Sequence, residues 1–155
     1  MILEVIILST HFNYDGLIQK VSACCLSEEQ CGTCDKENCL IGYGKECLMS
    51  CIKNKSDYIL HGMDNLPVQD TRVYDVDTVV QGIGYLLNQC RNCNLYHDEE
   101  CLINIIRSIF EIILFGEAQD YMGSTLVYLN SIKTKNEELA NKIYKAFQSY
   151  SNKKV

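Results

Sequence analysis

Cysteine is the residue type in this chain whose number and spacing most strongly indicate chemistry. The sequence holds ten cysteines in 155 residues, and seven of them form a front cluster: Cys24, Cys25, Cys31, Cys34, Cys39, Cys47 and Cys51. Cys31-Gly-Thr-Cys34 is a Cys-x-x-Cys turn, which lets two thiolates face one ion. Zn²⁺ takes four such ligands in a tetrahedron, and an iron–sulfur cluster takes thiolates on its irons. The front cluster therefore predicts a metal site at Cys31, Cys34 and Cys39, with Cys24, Cys25 or Cys47 as further candidate ligands.

A second cluster follows the pattern Cys90-x2-Cys93-x3-His97-x3-Cys101. We expect Cys90 and Cys93 to be ligands, because they can close one turn around an ion. A helix starting at Asp98 would place Cys101 in its first turn, where the helix dipole favours a thiolate. Cys101 fits a ligand and a core residue equally well. His97 is more simply an exposed imidazole in front of the helix, and it is a weaker candidate ligand.

The two Cys-x-x-Cys pairs could also serve one site. Two well-separated pairs are typical of structural zinc, so one ion bound by all four sulfurs would join the front and the back of the chain. Two other interpretations stay open: reduced cysteines packed as small hydrophobic side chains, and disulfide or thiol redox chemistry. A thioredoxin-like site needs a strand before the pair, whereas a helix is predicted before Cys31.

Composition and charge narrow the class of protein. The net charge is −6, which argues against a specific nucleic-acid partner. No apolar stretch reaches 18 residues, so no membrane span is expected. The apolar start, Met1 to Leu8, lacks a basic region and a small-residue cleavage site, and we expect a buried first element rather than a signal peptide. The ten cysteines would then be in a reducing cytoplasm, where metal ligation is a more common use of cysteine than a set of disulfides.

Hydrophobic periodicity predicts a mainly α protein, a bundle of four to five helices with Cys-rich loops at one end. One domain is expected over 1–155, divided into a Cys-rich front (1–55), an irregular connector (56–75) and a helical back (76–150). Helical patterns start at Asp15, Asp35, Asp75 or Asp77, Asp98, Ala118 and Thr134. The strongest is the 98–115 helix, which Asp98 would cap and Gly116 would end.

One row on that helix is polar: Glu100, Asn104, Arg107 and Glu111. Arg107 and Glu111 are four residues apart and can form an ion pair. Charged side chains are rarely buried in full. We therefore expect a solvated face rather than a functional groove.

The sequence predicts a cytoplasmic metal-binding protein with a binding, sensing or electron-transfer role. An iron–sulfur cluster is preferred to zinc, because the cysteines outnumber the ligands of one four-thiolate site. The alternatives are a non-catalytic interaction module with structural zinc, acting as a homodimer or with an unidentified protein partner, and a thiol redox enzyme or sensor. No phosphate-binding loop, dinucleotide fingerprint or nucleophile elbow is present in the sequence, so no catalytic residue is assigned.

The periodicity of the 98–115 helix generates a stability prediction. Replacing Ile106 or Ile109 with Ala is expected to lower the free energy of unfolding by roughly 2–5 kcal/mol, because a large core side chain is lost. Urea denaturation measures the loss. Surface substitutions usually change stability by less than about 0.5 kcal/mol. A change that small at both positions would show that the helix is peripheral.

Overall fold

Six α-helices make up most of the described part of a computed structural model, which describes residues 13–26, 38–70, 72–90, 100–121 and 124–152. The helices are α1 (Tyr14–Ala23), α2 (Leu40–Asn54), α3 (Val76–Cys90), α4 (Leu102–Phe115), α5 (Thr125–Lys135) and α6 (Glu137–Asn152). The predicted mainly α class is confirmed, with six helices in place of the expected four or five.

Helix α4 lies at the centre of the fold. Every residue from Leu102 to Glu111 is buried, and Ile106 and Ile109 are at most 1% exposed, so the predicted core helix is confirmed. Helices α2 and α3 pack against it, and α3 also contacts α1 and α6. Gly116 ends α4 with φ 86°, a left-handed conformation that glycine adopts at little cost.

The helices define two ends of the bundle. At the Tyr74 end, Cys39 at the start of α2 contacts Tyr74, two residues before α3. At the Cys101 end, the last turn of α2 approaches the start of α4, and the backbone N–H of Asn13 donates to Oε1 of Gln89 near the end of α3 (2.9 Å). Helix α2 therefore runs antiparallel to α4, and α1 runs antiparallel to α3.

Several helix starts differ from the predicted ones. Cys101 occupies the N-cap of α4 and not its first turn, while Asp98 and Asp35 lie outside the described residues. Helix α2 begins at Leu40, with Cys39 as its N-cap. Asp75 caps α3 as predicted, since its carboxylate accepts the Thr78 N–H (3.0 Å).

The two C-terminal helices also start later than predicted. Helix α5 begins after Ser124, whose hydroxyl accepts the Val127 N–H, because the chain from 117 to 121 is held in an irregular conformation against α4. Helix α6 is capped by Asn136, not by Thr134. Thr134 instead lies in the last turn of α5, where its hydroxyl donates to the Ser131 carbonyl (2.7 Å). Leu126, near the start of α5, is 67% exposed.

The connector (56–75), predicted to be irregular, contains local structure. A 3-10 helix spans Gly62–Asn65, and an isolated antiparallel bridge pairs Tyr58 with Cys101. The Ile59 N–H donates to the Glu100 carbonyl (2.9 Å), so the connector is fastened to the start of α4.

Helices α3 and α6 approach closely at Gly84. A Cβ built there would lie 2.5 Å from the Ala146 Cβ and 2.9 Å from the backbone N of Phe147. Beside it, the Asn88 side chain donates to the carbonyls of Gly84 (3.2 Å) and Phe147 (3.0 Å). The glycine therefore sets the spacing of the two helices.

Substitution of this glycine tests the contact. Gly84→Ala is expected to destabilise the protein by roughly 1–3 kcal/mol, because the added methyl group meets a helix backbone and overpacks the interface. Gly44→Ala is the matched control: its Cβ would meet two side-chain tips, Ile109 Cδ1 at 3.3 Å and Val21 Cγ1 at 3.6 Å, and the gain in helix propensity of about 1 kcal/mol offsets these contacts. Equal effects of the two variants on the urea midpoint would contradict this account.

Candidate functional site

Cys39 is the candidate ligand whose described surroundings best suit metal binding. It has an extended backbone at the N-cap of α2, and its Sγ accepts the Gly42 N–H (3.3 Å). The sulfur is half-buried and faces the partial positive charge of a helix N-terminus. Backbone N–H groups directed at sulfur are also the donors that support thiolate ligands.

A polar cluster that the sequence analysis missed surrounds this sulfur. The Tyr74 hydroxyl lies 3.2 Å from Cys39 Sγ and donates to Oδ2 of Asp70 (2.5 Å). Because that proton is directed at Asp70, the reduced Cys39 thiol donates to the Tyr74 oxygen. The alternation Asp70-x-Arg72-x-Tyr74 was the available signal, since it places three polar side chains on one side of an extended segment.

Asp70 is the centre of that cluster. Its side chain is fully buried and pairs with Arg72 (2.8 Å), and it accepts the first backbone N–H of α2, that of Leu40 (2.8 Å). Burial acts to raise the pKa of Asp70, but hydrogen bonds from Tyr74, Leu40 and Arg72 outweigh it and leave this pKa lowered. The connector is thus joined to α2 by a charged carboxylate next to Cys39.

Three other cysteines of the front cluster are core residues. Cys24, Cys47 and Cys51 are at most 5% exposed. Burial raises the pKa of the Cys24 thiol to about 12, that of Cys47 to about 11 and that of Cys51 to about 12. These thiols stay protonated at neutral pH and pack as small hydrophobic groups. Cys25, by contrast, is exposed just after α1.

The remaining candidate ligands are less fully described. Cys31, Cys34, Cys93 and His97 lie outside the described residues. Cys90 is the last residue of α3, and Cys101 is partly buried against the core. Among the described side chains, no three metal-binding groups come together.

The described residues that flank the two Cys-x-x-Cys pairs lie far apart. Cys39 is at the Tyr74 end, whereas Cys90 ends α3 at the Cys101 end, and a 15-residue helix is about 21 Å long. A single ion bound by both Cys-x-x-Cys pairs, Cys31 with Cys34 and Cys90 with Cys93, stays a prediction. It would require the two segments that carry these pairs to approach each other over the length of α3. Separate sites need no such approach.

Three residues of the predicted polar row lie on α4 and are buried, which corrects the solvated face expected there, whereas Glu100 precedes α4 and is partly exposed. Asn104, Arg107 and Glu111 are 4%, 1% and 0% exposed. The predicted pair exists, with Arg107 Nε 3.0 Å from Glu111 Oε2, and Arg107 Nη2 donates to Asn104 Oδ1 (2.7 Å). Within the described part of the chain, Arg107 Nη1 is a buried atom without a hydrogen-bond partner.

This ion pair fastens the chain after α4 to the core. Glu111 accepts the Gln119 N–H (2.8 Å) and the Tyr128 hydroxyl (2.5 Å), and the Arg107 guanidinium lies 4.8 Å from the centre of the Tyr121 ring. Lys135 donates to the Gln119 side chain. Because the carboxylate has no solvent exposure, we assign the network a structural role.

The electrostatics of Glu111 follow from its burial. Burial raises the pKa of Glu111, and it outweighs the lowering effects of Arg107, the Gln119 N–H and Tyr128. Because the pKa of Glu111 is raised in the folded state, protonation of Glu111 stabilises the fold. This contribution to stability is fully present below the ordinary pKa of glutamate, and it is lost as pH rises through the folded-state pKa.

Comparison with known proteins gives no relative: no family model, curated protein or solved structure matches the chain. None of the described helices is long and apolar enough to cross a membrane.

The network yields a pH-dependent prediction. Tyr128→Phe removes a donor to a buried carboxylate and should cost roughly 1.5–3 kcal/mol at neutral pH. The cost should become smaller toward pH 4, because the hydrogen bond that the variant lacks is then made to a neutral carboxyl group and is weaker. Tyr144→Phe, which removes an exposed hydroxyl bonded to Gln148, is the control and should change stability by less than about 0.5 kcal/mol. Urea denaturation at several pH values measures both, and a Tyr128→Phe cost that is independent of pH would contradict the assignment.

Proposed function

We propose that this chain is a cytoplasmic protein that binds a metal centre through cysteine thiolates at its Tyr74 end. The ligands are Cys31, Cys34 and Cys39, with Cys25 as the fourth. The observation that carries the proposal is the position of Cys39: its half-buried sulfur sits at a helix N-terminus, five residues after the Cys-x-x-Cys pair.

The choice of Cys25 rests on accessibility. Cys24 and Cys47, the other candidates of the front cluster, are buried thiols with raised pKa values. Cys25 is exposed and follows α1 at the Tyr74 end. The charge of Asp75 contributes to the raised pKa of the neighbouring Cys24, which means that the end of α1 lies near Asp75, the residue after Tyr74. Four sulfurs around one ion must come within about 4 Å of one another.

Chain length permits this arrangement. Cys31 follows Cys25 by six residues, and Cys34 precedes Cys39 by five. At about 3.4 Å per residue these tethers reach roughly 20 and 17 Å. These tethers are long enough for the Cys-x-x-Cys pair to reach the Tyr74 end from both sides, and the donor set fits a four-thiolate centre.

The kind of metal follows from the number of thiols. An iron–sulfur cluster is the first proposal, because the ten cysteines of the chain outnumber the ligands of one four-thiolate site. Bound there, it would supply one-electron chemistry for sensing or electron transfer. A single structural zinc in an interaction module is the second candidate, and the burial of Cys24, Cys47 and Cys51 supports it by reducing the thiols available for further sites.

Metal content tests the ligand set. In protein purified without oxygen, Cys31→Ser/Cys34→Ser, Cys39→Ser and Cys25→Ser should each lose about one site's worth of metal, since a tetrahedral centre loses affinity with each missing thiolate. The control is Cys51→Ala, which removes a buried thiol at the Cys101 end and should keep full metal content. Circular dichroism shows whether each variant is folded.

The outcomes separate the hypotheses. Visible absorption that disappears in the ligand variants supports an iron–sulfur cluster, and a colourless protein with bound zinc supports the interaction module. Metal-free protein with a titratable dithiol would contradict the proposal and would favour thiol redox chemistry. Loss of metal in every variant except Cys25→Ser would keep the site and reject Cys25 as its fourth ligand.

A further inference from the structure

Three side chains of the connector hold the chain around Cys39 at consecutive positions. Each of three residues in a row contacts a different one of them: the Asn38 carbonyl accepts from Arg72 Nη1 (3.1 Å), Cys39 Sγ lies 3.2 Å from the Tyr74 hydroxyl, and the Leu40 N–H donates to Asp70 Oδ2 (2.8 Å). We call Asp70, Arg72 and Tyr74 the clamp residues. They fix the backbone on both sides of the candidate ligand as well as its sulfur.

The clamp residues are themselves fixed by burial and by hydrogen bonds. The Asp70 side chain has no solvent exposure, and its Oδ1 accepts both the Arg72 N–H (3.1 Å) and Arg72 Nη1 (2.8 Å). Tyr74 is 6% exposed, whereas Val73 beside it is 87% exposed, as the alternation of an extended segment requires. The Tyr74 hydroxyl is therefore held beside the Cys39 sulfur before any metal binds.

Metal binding changes which atom donates at this contact. The Cys39 thiol donates to the Tyr74 oxygen, and its proton leaves to solvent when the sulfur binds a metal as a thiolate. The bound sulfur then offers a lone pair to the Tyr74 hydroxyl, whose proton Asp70 accepts in the metal-free protein. Asp70 keeps the Leu40 N–H and both Arg72 groups as donors after this change, so the buried carboxylate stays paired.

We propose that the Tyr74 hydroxyl donates a hydrogen bond to the metal-bound Cys39 sulfur, and that Asp70 and Arg72 are positioning residues for this donor and this ligand. The inference rests on the proposed metal site and adds to it a residue that adjusts one of its ligands. A hydrogen bond withdraws electron density from the sulfur, and such outer contacts affect both metal affinity and reduction potential.

Cobalt(II) loading of the full chain without oxygen tests the hydrogen bond. Co²⁺ occupies the tetrahedral thiolate sites that Zn²⁺ occupies, and its thiolate-to-metal charge-transfer absorption depends on the electron density of the sulfur. Tyr74→Phe should shift this absorption to longer wavelength, because the sulfur becomes a better electron donor. It should also weaken Co²⁺ binding about tenfold, as the loss of an outer contact does. A purely structural role for Tyr74 would leave the wavelength unchanged.

Tyr43→Phe is the matched control. The Tyr43 hydroxyl donates to the Gly62 carbonyl (2.6 Å), and the side chain also contacts Cys47, a buried cysteine outside the proposed ligand set. This variant loses a tyrosine hydroxyl beside a thiol that binds no metal. It should therefore keep both the wavelength and the Co²⁺ affinity of the wild type.

A second substitution keeps the test decisive if Tyr74→Phe does not fold. Tyr74→3-fluorotyrosine retains the hydroxyl and its contact with Asp70, and the fluorine makes the hydroxyl a stronger hydrogen-bond donor. Its charge-transfer absorption should shift to shorter wavelength, opposite to the shift expected for Tyr74→Phe. Circular dichroism shows whether each variant is folded.

The outcomes distinguish this inference from the proposed function. Wild-type protein without a thiolate-to-cobalt absorption would reject the metal site and this inference together. An absorption that falls in Cys39→Ser but has the same wavelength in the wild type and in the folded Tyr74 variants would keep the metal site and overturn the role of Tyr74. Equal shifts in Tyr43→Phe and Tyr74→Phe would overturn it as well.

Discussion

The burial of the first ten residues of α4 is the constraint on which the described fold depends. Ten consecutive residues of this helix are shielded from solvent, so its polar side chains must find partners inside the protein. An unpaired buried charge costs several kcal/mol, which explains why Arg107 is matched by Glu111, Asn104 and two tyrosine rings. The segment after α4 and helix α5 take their positions from these contacts, because Gln119 and Tyr128 complete the coordination of the carboxylate.

The same constraint divides the cysteines into two groups. Helix α2 packs on α4 with Cys47 and Cys51 inside the core, where the thiol form is favoured and the sulfur serves as packing. Cys39 lies at the helix end, outside that interface, and Cys25 follows the end of α1. Cys39 and Cys25 could therefore bind an ion without distorting a helix, whereas Cys47 and Cys51 would have to leave the core to bind one.

Sequence periodicity was sufficient to predict most of the helices and the central position of α4. In a chain of this size, a long apolar run at helical spacing can bury its side chains in few other ways than as a central helix. It failed where contacts distant in sequence decide the outcome. Asn136 rather than Thr134 caps α6 because α5 continues to Lys135, and the start of α5 depends on how Glu111 holds residue 119. The row of Asn104, Arg107 and Glu111 was predicted to be solvated from the general cost of burying charge, and no local pattern reveals the tyrosines that offset this cost.

The contact of Cys39 with this polar cluster could not be foreseen for the same reason, since Asp70 and Tyr74 are more than 30 residues away in the sequence. Their arrangement has a physical consequence for any metal bound there. The Tyr74 hydroxyl has one proton, which Asp70 accepts while Cys39 is a thiol. A thiolate at Cys39 would compete for that proton, and Asp70 would retain the Leu40 N–H and Arg72 as donors. The cluster therefore offers a hydrogen bond to the sulfur without leaving the buried carboxylate unpaired, and such outer contacts adjust the affinity and potential of thiolate-bound metals.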